Sequence, residues 1–346
     1  MTLPAAPQRW DITRVNDERM EAVAPFGFTE RQARFLVTVM IHSGVFVERQ
    51  YCAFAGIAHG QKTHDFIRKL IGHGFATGIE VGALHRGRLF HVHYKPLYAA
   101  IGEPDNRNRK RATTGRQAER LMLLDAVLDD RARVWLGTET DKRRHFTRAL
   151  RDHNNVVEDF PRLTFGDETC QRVRHFPDKL PIGLPTDDRR DHVLLYLVNK
   201  PHPMDFRMFL VRHAELLRLL RCWTIRVLFP GPFAKSMTLF GHAALNQIAN
   251  PLGASSSDEW VWYCRQRRRG INAADDDDLR FEQAASSFRG PRFEAMYRVW
   301  LEQGDAILFA AASATLRQQL ECRDGRFEFV RLTRQYLHLA SLVGVA

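Results

Sequence analysis

The sequence predicts an α+β protein with an α/β core, divided into more than one domain. In residues 29–72 the apolar side chains recur every three or four positions, which is typical of amphipathic helices. Between residues 75 and 93 the pattern changes to that of strands. In residues 171–229, strand-like runs alternate with a long helical stripe. The 346 residues are enough for two or three domains.

Three helices are predicted between residues 29 and 72. The first begins at the capping residue Thr29 and ends near Gly44. A short second helix covers about residues 48–55, and a third covers Lys62–Gly72. The side chains expected on the buried side of the third helix are Phe66, Ile67, Leu70 and Ile71.

Two strands, 75–81 and 88–93, follow the third helix and are joined by the glycine-bounded turn 82–88. Three helices followed by a β-hairpin is the order of a winged helix. In such a domain the third helix enters the DNA major groove and the hairpin, or wing, lies along the backbone. The sequence therefore predicts a winged-helix DNA-binding domain over residues 20–101.

Polar and cationic side chains occupy the start and outer face of this third helix, where contacts to base edges and phosphates would form. The candidates are Gln61, Lys62, Thr63, His64, Arg68 and Lys69, with Arg86 and Arg88 at the wing tip. Residues 60–120 hold twelve Lys and Arg against five Asp and Glu, and the whole chain has a net charge of +11. This excess favours double-stranded DNA as the partner. The alternatives to DNA binding are that these side chains form an ordinary solvated helix face, or that the positive charge binds an acidic protein.

A polar, basic segment over residues 102–115 follows the hairpin. Its Pro and Gly content predicts a linker between domains. Four of its side chains are candidates for phosphate contacts: Arg107, Arg109, Lys110 and Arg111. A flexible, solvated connector explains the same composition.

Residues 116–232 alternate helices and strands. The predicted elements are a helix at 116–129, strands at 133–137, 171–184 and 192–199, a helix at 205–220 and a strand at 223–229. The order α-β-β-β-α-β is that of the PD-(D/E)XK nuclease core. Such a nuclease needs an Asp, then an acid, then a Lys two positions after the acid. Asp178 and Lys200 match this pattern, but Val198 occupies the position of the acid.

The missing acid matters because phosphodiester cleavage by this core depends on a divalent cation, which carboxylates hold. If the core is active, Asp178 and Lys200 are its catalytic residues and Mg²⁺ its cofactor. If the core is degenerate, no cofactor and no metal are expected, and a backbone amide or Lys200 satisfies Asp178. The alternative source of a second carboxylate is the turn between the strands, with Asp187, Asp188 and Asp191.

A winged helix, a basic linker and this core, over about residues 25–230, resemble the replication-relaxation family of mobile elements and the related MobC-class relaxases. In active members, the strand that matches His192–Lys200 carries an acid. The resemblance implies a DNA-binding protein of a mobile genetic element, acting in transcriptional control, replication or transfer, with Val198 arguing against nuclease activity. Other proteins of the element would also be partners. An active metal-dependent nuclease or relaxase is the alternative.

Residues 233–346 predict a mostly helical extension. Its basic cluster at 264–270 and acidic run at 275–278 are typical of a solvated surface on which neighbouring opposite charges balance each other. The apolar tail at 336–345 is expected to dock onto another element or onto a second copy of the chain. The second case would give a homodimer, as is common for proteins that read paired half-sites.

Several classes of protein are disfavoured. The five cysteines form no C-x-x-C pair, so neither a zinc site nor a disulfide framework is predicted. His91 and His93 share a strand face with His85 nearby, but no Cys or acid is spaced to complete a metal site. The chain has no P-loop motif, so a P-loop ATPase is not predicted. It also has no signal-peptide pattern and no apolar run of membrane length, which predicts a cytoplasmic protein without membrane contact.

Overall fold

A computed structural model describes residues 11–79, 88–150, 160–165, 172–270, 275–307, 314–334 and 336. The fold is a mixture of helices and several sheets, which confirms the predicted α+β class. Contacts divide the chain into unit 1, residues 1–141 with 332–346, and unit 2, residues 142–331. Among the described residues, no helix has the length and apolar character needed to cross a membrane.

Unit 1 is mainly helical and contains one small sheet. Its elements are α1 (Ile12–Val23), α2 (Glu30–His42), β1 (Val45–Val47), α3 (Glu48–Ala55), α4 (Gln61–Gly72), β2 (Ala76–Ile79), β3 (Leu89–Val92), α5 (Lys95–Ala100), α6 (Thr114–Asp129), β4 (Trp135–Leu136) and the first turn of α7 (Glu139–Ala149). The strands β1, β3 and β2 form an antiparallel sheet in that order, so β3 lies in its centre.

The core of unit 1 is rich in aromatic side chains. Phe35 on α2, Phe46 on β1 and Phe66 on α4 are all fully buried. The ring of Tyr51 on α3 stacks on Phe66 at a centroid distance of 4.1 Å. Such ring pairs contribute about 0.5–1.5 kcal/mol beyond the area that they bury. The aromatic cluster therefore fixes the positions of α2, α3 and α4 relative to the small sheet.

The basic segment 102–113 is anchored to the end of α2. Asn108 is 3% exposed, and its side-chain amide donates hydrogen bonds to the carbonyl oxygens of Met40 (3.1 Å) and Ile41 (2.9 Å). Its own carbonyl oxygen lies 3.0 Å from the ring nitrogen Nε2 of His91 on β3. A Cβ atom at Gly44, whose φ is +74°, would collide with the Asn108 backbone. This segment thus has a defined place on unit 1 and does not have the contacts of a freely solvated connector.

Two polar clusters join distant parts of unit 1. Arg19 on α1 and Asp141 form a buried two-fold ion pair, with N–O distances of 3.0 and 3.1 Å. Asp125 on α6 accepts hydrogen bonds from Arg49 on α3 (2.9 Å) and from the hydroxyl of Tyr336 (2.7 Å). Because Tyr336 follows unit 2 in the chain, this bond attaches the returning C-terminal segment to α3 and α6.

Unit 2 contains the larger sheet and most of the C-terminal helices. After the rest of α7, its elements are β5 (Arg162–Phe165), β6 (Arg172–His175), β7 (Ile182–Gly183), β8 (His192–Leu197), α8 (Met204–Leu219), β9 (Trp223–Phe229), α9 (Met237–Ile248), α10 (Ala254–Arg269), α11 (Asp275–Ser287), α12 (Pro291–Gln303), α13 (Ala314–Glu321) and β10 (Gly325–Arg331). Within unit 2 the sheet order is β10-β9-β8-β7. The pairs β8–β9 and β9–β10 are parallel, and β7–β8 is antiparallel.

The prediction of a single strand over residues 171–184 is wrong. Its first part, β6, pairs with β5 in a separate hairpin, and its last part, β7, joins the main sheet. Between them, Phe176 and Lys179 have φ values of +49° and +56°, a left-handed conformation that a strand does not tolerate. Pro177 and Asp178 therefore lie in a turn and not on a strand.

Candidate nucleic-acid interface

Helix α4 has one buried and one exposed side. Phe66, Ile67 and Leu70 are at most 7% exposed and attach the helix to the core of unit 1. Ile71, which was expected to be buried, is 46% exposed. Four of the predicted DNA-binding residues are exposed on this helix: Gln61, Lys62, His64 and Arg68.

Asp65 organises the exposed side of α4. One of its carboxylate oxygens, Oδ1, accepts hydrogen bonds from the amide of Gln61 (2.7 Å) and the guanidinium of Arg68 (3.0 Å). The carboxylate thus connects two polar side chains that are seven residues, or about two helical turns, apart on α4. Exposed pairs of this kind contribute little to stability, so a ligand can redirect them at small cost.

Two predicted residues of α4 have other roles. Thr63 was expected on the outer face, but it is fully buried and its hydroxyl lies 3.2 Å from Sγ of Cys52 on α3, so that prediction is wrong. Lys69 is half-buried; its ammonium donates to the carbonyl of Gly27 and lies 5.7 Å from the ring centroid of Phe28. Both side chains hold α4 against its neighbours.

The hairpin that was predicted to form a wing is described only in part. Arg86 lies outside the described residues. Arg88 is exposed and directly precedes β3, which pairs with β2 over four residue pairs that end at Ile79 and Leu89. Of the two arginines predicted at the wing, Arg88 therefore has an observed position at the edge of the hairpin.

The basic segment places three exposed cations on unit 1. Arg107, Lys110 and Arg111 are exposed, whereas Arg109 is half-buried and donates from Nε to the carbonyl of Pro104 (3.1 Å). The buried Asn108 lies among them and connects this segment to α2 and β3. The cations consequently have a fixed base beside the small sheet.

A cleft of about 1120 Å³ runs along the exposed side of α2. Two of the arginines that line the cleft, Arg31 and Arg131, donate hydrogen bonds to the end of α3. Arg31 donates to the carbonyl of Ala55 (3.0 Å), and Arg131 donates to the carbonyls of Phe54 (2.9 Å) and Ala53 (2.5 Å). They satisfy carbonyls that the helix leaves without partners. Lys62 and Asp65 of α4 also line the cleft, so one end of it is formed by the exposed side of that helix.

The candidate nuclease residues of unit 2 have different partners. Oδ1 of Asp178 accepts from Arg212 at 3.3 Å, and Arg212 also forms a two-fold pair with Glu302. Lys200, beyond the end of β8, pairs with Asp205 at 2.9 Å. The expectation that Lys200 or a backbone amide satisfies Asp178 is therefore wrong, because Arg212 bonds its Oδ1, while Oδ2 is buried without a hydrogen-bond partner among the described residues.

These residues do not fit a divalent cation. The guanidinium of Arg212 already supplies the positive charge beside Asp178, and Val198 is buried and offers no oxygen. Of the turn aspartates, Asp191 already bonds Thr224 and lies 3.3 Å from Arg326, and Asp187 and Asp188 are exposed. Across the described stretches of the chain, no group of three or more His, Cys, Asp and Glu has the arrangement of a metal site.

Asp65 and Asn108 were not among the residues predicted from the sequence. Asp65 follows Gln61 by four positions and precedes Arg68 by three. Helical side chains at these spacings lie next to each other, so its contacts with Gln61 and Arg68 could have been predicted from the sequence. Nothing local marks Asn108, because the carbonyls it binds lie 67 and 68 residues earlier in the chain.

Comparisons with known proteins identify no relative. A scan against protein-family models found no match, and neither did a search of the curated proteins or a search of the solved structures.

Proposed function

We propose that unit 1 contains a winged-helix domain that binds double-stranded DNA, with α4 as its recognition helix. The order α2-β1-α3-α4-β2-β3, with a sheet order of β1-β3-β2, supports this proposal. The observation that carries it is the division of α4 into a side held by aromatic packing and a side that presents Gln61, Lys62, His64 and Arg68.

The exposed groups of α4 suit the chemistry of the major groove. A glutamine amide can pair with two atoms of adenine, and an arginine guanidinium with two atoms of guanine. Lysine is suited to the phosphate backbone, which positions a protein without reading the sequence. Gln61 and Arg68, held together by Asp65, are thus the base-reading candidates, and Lys62 is a phosphate contact.

Other cations of unit 1 would add contacts to the DNA backbone. Arg88 at the wing and Arg107, Lys110 and Arg111 in the anchored segment are exposed. Each phosphate that such a group neutralises releases counterions, which makes the affinity dependent on salt.

The biological setting rests on the resemblance to the replication-relaxation family. On that basis the protein belongs to a mobile genetic element and acts in its transcriptional control, replication or transfer, without cleaving DNA itself. The nuclease alternative has no comparable support, because Asp178 and Lys200 are each paired with another residue of unit 2.

The proposal is tested by fluorescence anisotropy on a short random-sequence duplex over a series of salt concentrations. Lys62→Ala should reduce the slope of log affinity against log salt by about 1, because one phosphate contact is lost. Arg14→Ala removes a charge of the same sign from α1, where Arg14 pairs with Glu18 at 2.9 Å, and should leave the slope unchanged. Affinity that does not respond to salt, or equal losses in the two variants, would refute the proposal.

Base reading needs a second measurement, because random DNA reports only backbone contacts. Selection of preferred duplexes from a random pool provides the site. At that site Arg68→Ala should cost about 1–3 kcal/mol and relax the preference at one base pair. If Arg68→Ala weakens all duplexes equally, then Arg68 contacts phosphate and does not read a base.

A further inference from the structure

A junction of three helices in unit 2 contains two arginines that lack carboxylate partners. Arg207 on α8 is only 8% exposed, and Arg292, in the first turn of α12, is half-buried with its Nε atom fully covered. Neither of them forms an ion pair with any residue that the structure describes. Charged side chains are rarely buried without a partner of opposite charge, because the loss of hydration is costly.

Helix α9 and Asn250, two residues beyond its end, supply only neutral acceptors to these arginines. Nη1 of Arg207 lies 3.0 Å from the side-chain oxygen of Asn246 and 3.3 Å from that of Gln247. Arg292 donates from Nη2 to the carbonyl oxygen of Asn250. The two positive charges thus meet partial negative charges but no carboxylate.

Three further donors at this junction are buried and have no acceptor among the described residues. They are Nε of Arg207, Nε of Arg292 and Nε2 of Gln247. Arg207 contacts residues 246 and 247 and Arg292 contacts residue 250, so both guanidinium groups lie at the C-terminal end of α9. Burial lowers the pKa of Arg292, and the positive charge of Arg207 acts in the same direction. The unsatisfied groups are all donors, so the missing partner is rich in acceptors.

We infer that the α8–α9–α12 junction binds an oxyanion of the phosphate type. Such an anion supplies both the negative charge and the several acceptor oxygens that Arg207, Arg292 and Gln247 lack. Guanidinium groups hold phosphate oxygens through short, charge-assisted hydrogen bonds. The inference goes beyond DNA binding by α4, because this site lies in unit 2 and needs no contact from unit 1.

The competing explanation is that the arginines only bind the carbonyls at the end of α9 and that water satisfies the remaining donors. This structural role predicts no preference for phosphate over other anions. The two explanations therefore differ in one measurable property, the stabilisation of the folded protein by phosphate.

Thermal unfolding of the full chain in inorganic phosphate, compared with chloride at the same ionic strength, tests the inference. Phosphate should raise the Tm in a saturable manner, since a ligand that binds only the folded state stabilises it. Arg292→Gln should weaken the apparent phosphate affinity about tenfold or more. Arg298→Gln is the matched control on the same helix, because Arg298 pairs with Glu294 at 2.9 Å and should not respond to phosphate.

A second variant covers the case in which Arg292→Gln does not fold. Gln247→Glu keeps the shape of the side chain and places a carboxylate where an amide oxygen already meets Arg207. The built-in anion should raise the Tm in chloride and abolish the phosphate response. A phosphate response that persists in this variant would contradict the inference.

Two results overturn the proposal outright. Equal stabilisation of the wild type and Arg292→Gln would mean that phosphate binds elsewhere on this basic protein. No stabilisation beyond that of chloride would leave the arginines with their helix-capping role alone. Arg68→Ala should retain the full phosphate response, so a failure of DNA binding and a failure of this site are distinguishable.

The same unfolding assay with different phosphate compounds identifies the source of the phosphate group. If a single-stranded oligonucleotide with a 5′-phosphate reproduces the stabilisation and its 5′-hydroxyl counterpart does not, the site takes a strand end. If inorganic phosphate acts and neither oligonucleotide does, the ligand is a small phosphate-type anion.

Discussion

Acid should destabilise unit 2 through His213, a buried histidine on α8. The side chain is 3% exposed, its ring centroid lies 4.1 Å from that of Phe209 with the two rings tilted by 34°, and Nδ1 donates to the Phe209 carbonyl oxygen at 2.9 Å. Burial lowers the pKa of His213 from 6.5 to about 4, although the Asp178 carboxylate acts in the opposite direction. The folded protein therefore holds this ring neutral at pH values where a free histidine is charged.

The sign and size of the effect follow from proton linkage. Below pH 6.5 the unfolded chain protonates this ring and the folded chain does not until about pH 4, so the free energy of unfolding falls as the pH falls. With 1.36 kcal/mol for each pKa unit, His213 alone should cost about 2 kcal/mol at pH 5 relative to neutral pH.

Urea denaturation of the wild type and of His213→Phe at neutral pH and at about pH 5 measures this term. Phenylalanine keeps an aromatic ring against Phe209 but cannot be protonated, so the variant should lose about 2 kcal/mol less on acidification than the wild type does. His145, whose pKa burial also lowers to about 4, contributes equally to both proteins. The exposed His242 provides the control, and His242→Gln should behave as the wild type. An identical loss in His213→Phe and wild type would refute the reasoning.

Two other predictions concern the anchored segment and the nuclease-like residues. Asn108→Ala should lower the free energy of unfolding by about 2–4 kcal/mol, because two buried carbonyls at the end of α2 lose their donors; an unchanged urea midpoint would mean that they find others. The protein should not nick supercoiled plasmid in Mg²⁺ or Mn²⁺, since Arg212 forms an ion pair with Asp178. Metal-dependent nicking that disappears in Asp178→Ala would establish the nuclease alternative.

The sequence predicted α4 well because its packing follows a simple helical stripe. Phe66, Ile67 and Leu70 are buried as expected. The errors were to place Ile71 inside and Thr63 outside. Residues 63, 66, 67, 70 and 71 all follow the spacing i, i+3, i+4, i+7, i+8 of one helix face. The spacing therefore accounts for the burial of Thr63 but not for the exposure of Ile71, which lies in the last turn of α4.

The turn around Asp178 could not be predicted in the same way. Phe176 and Lys179 adopt positive φ values that are uncommon outside glycine, so their identities gave no sign that the strand is interrupted. The partner of Asp178 is Arg212, 34 residues away on a helix. Local patterns predict periodicity and turns, but contacts over this separation depend on how the elements pack.

The hydrogen bond from Tyr336 to Asp125 means that unit 1 is completed only after unit 2 has been synthesised. The chain leaves unit 1 after Asp141, forms all of unit 2 and returns at Leu332. Because synthesis proceeds from the N-terminus, the hydroxyl that bonds Asp125 emerges from the ribosome only after unit 2 has been made. A fragment cut after residue 141 would contain α4 and its aromatic core but would lack this bond. Domain boundaries chosen for expression should therefore retain residues 332–336, even though they lie almost two hundred residues beyond the rest of unit 1.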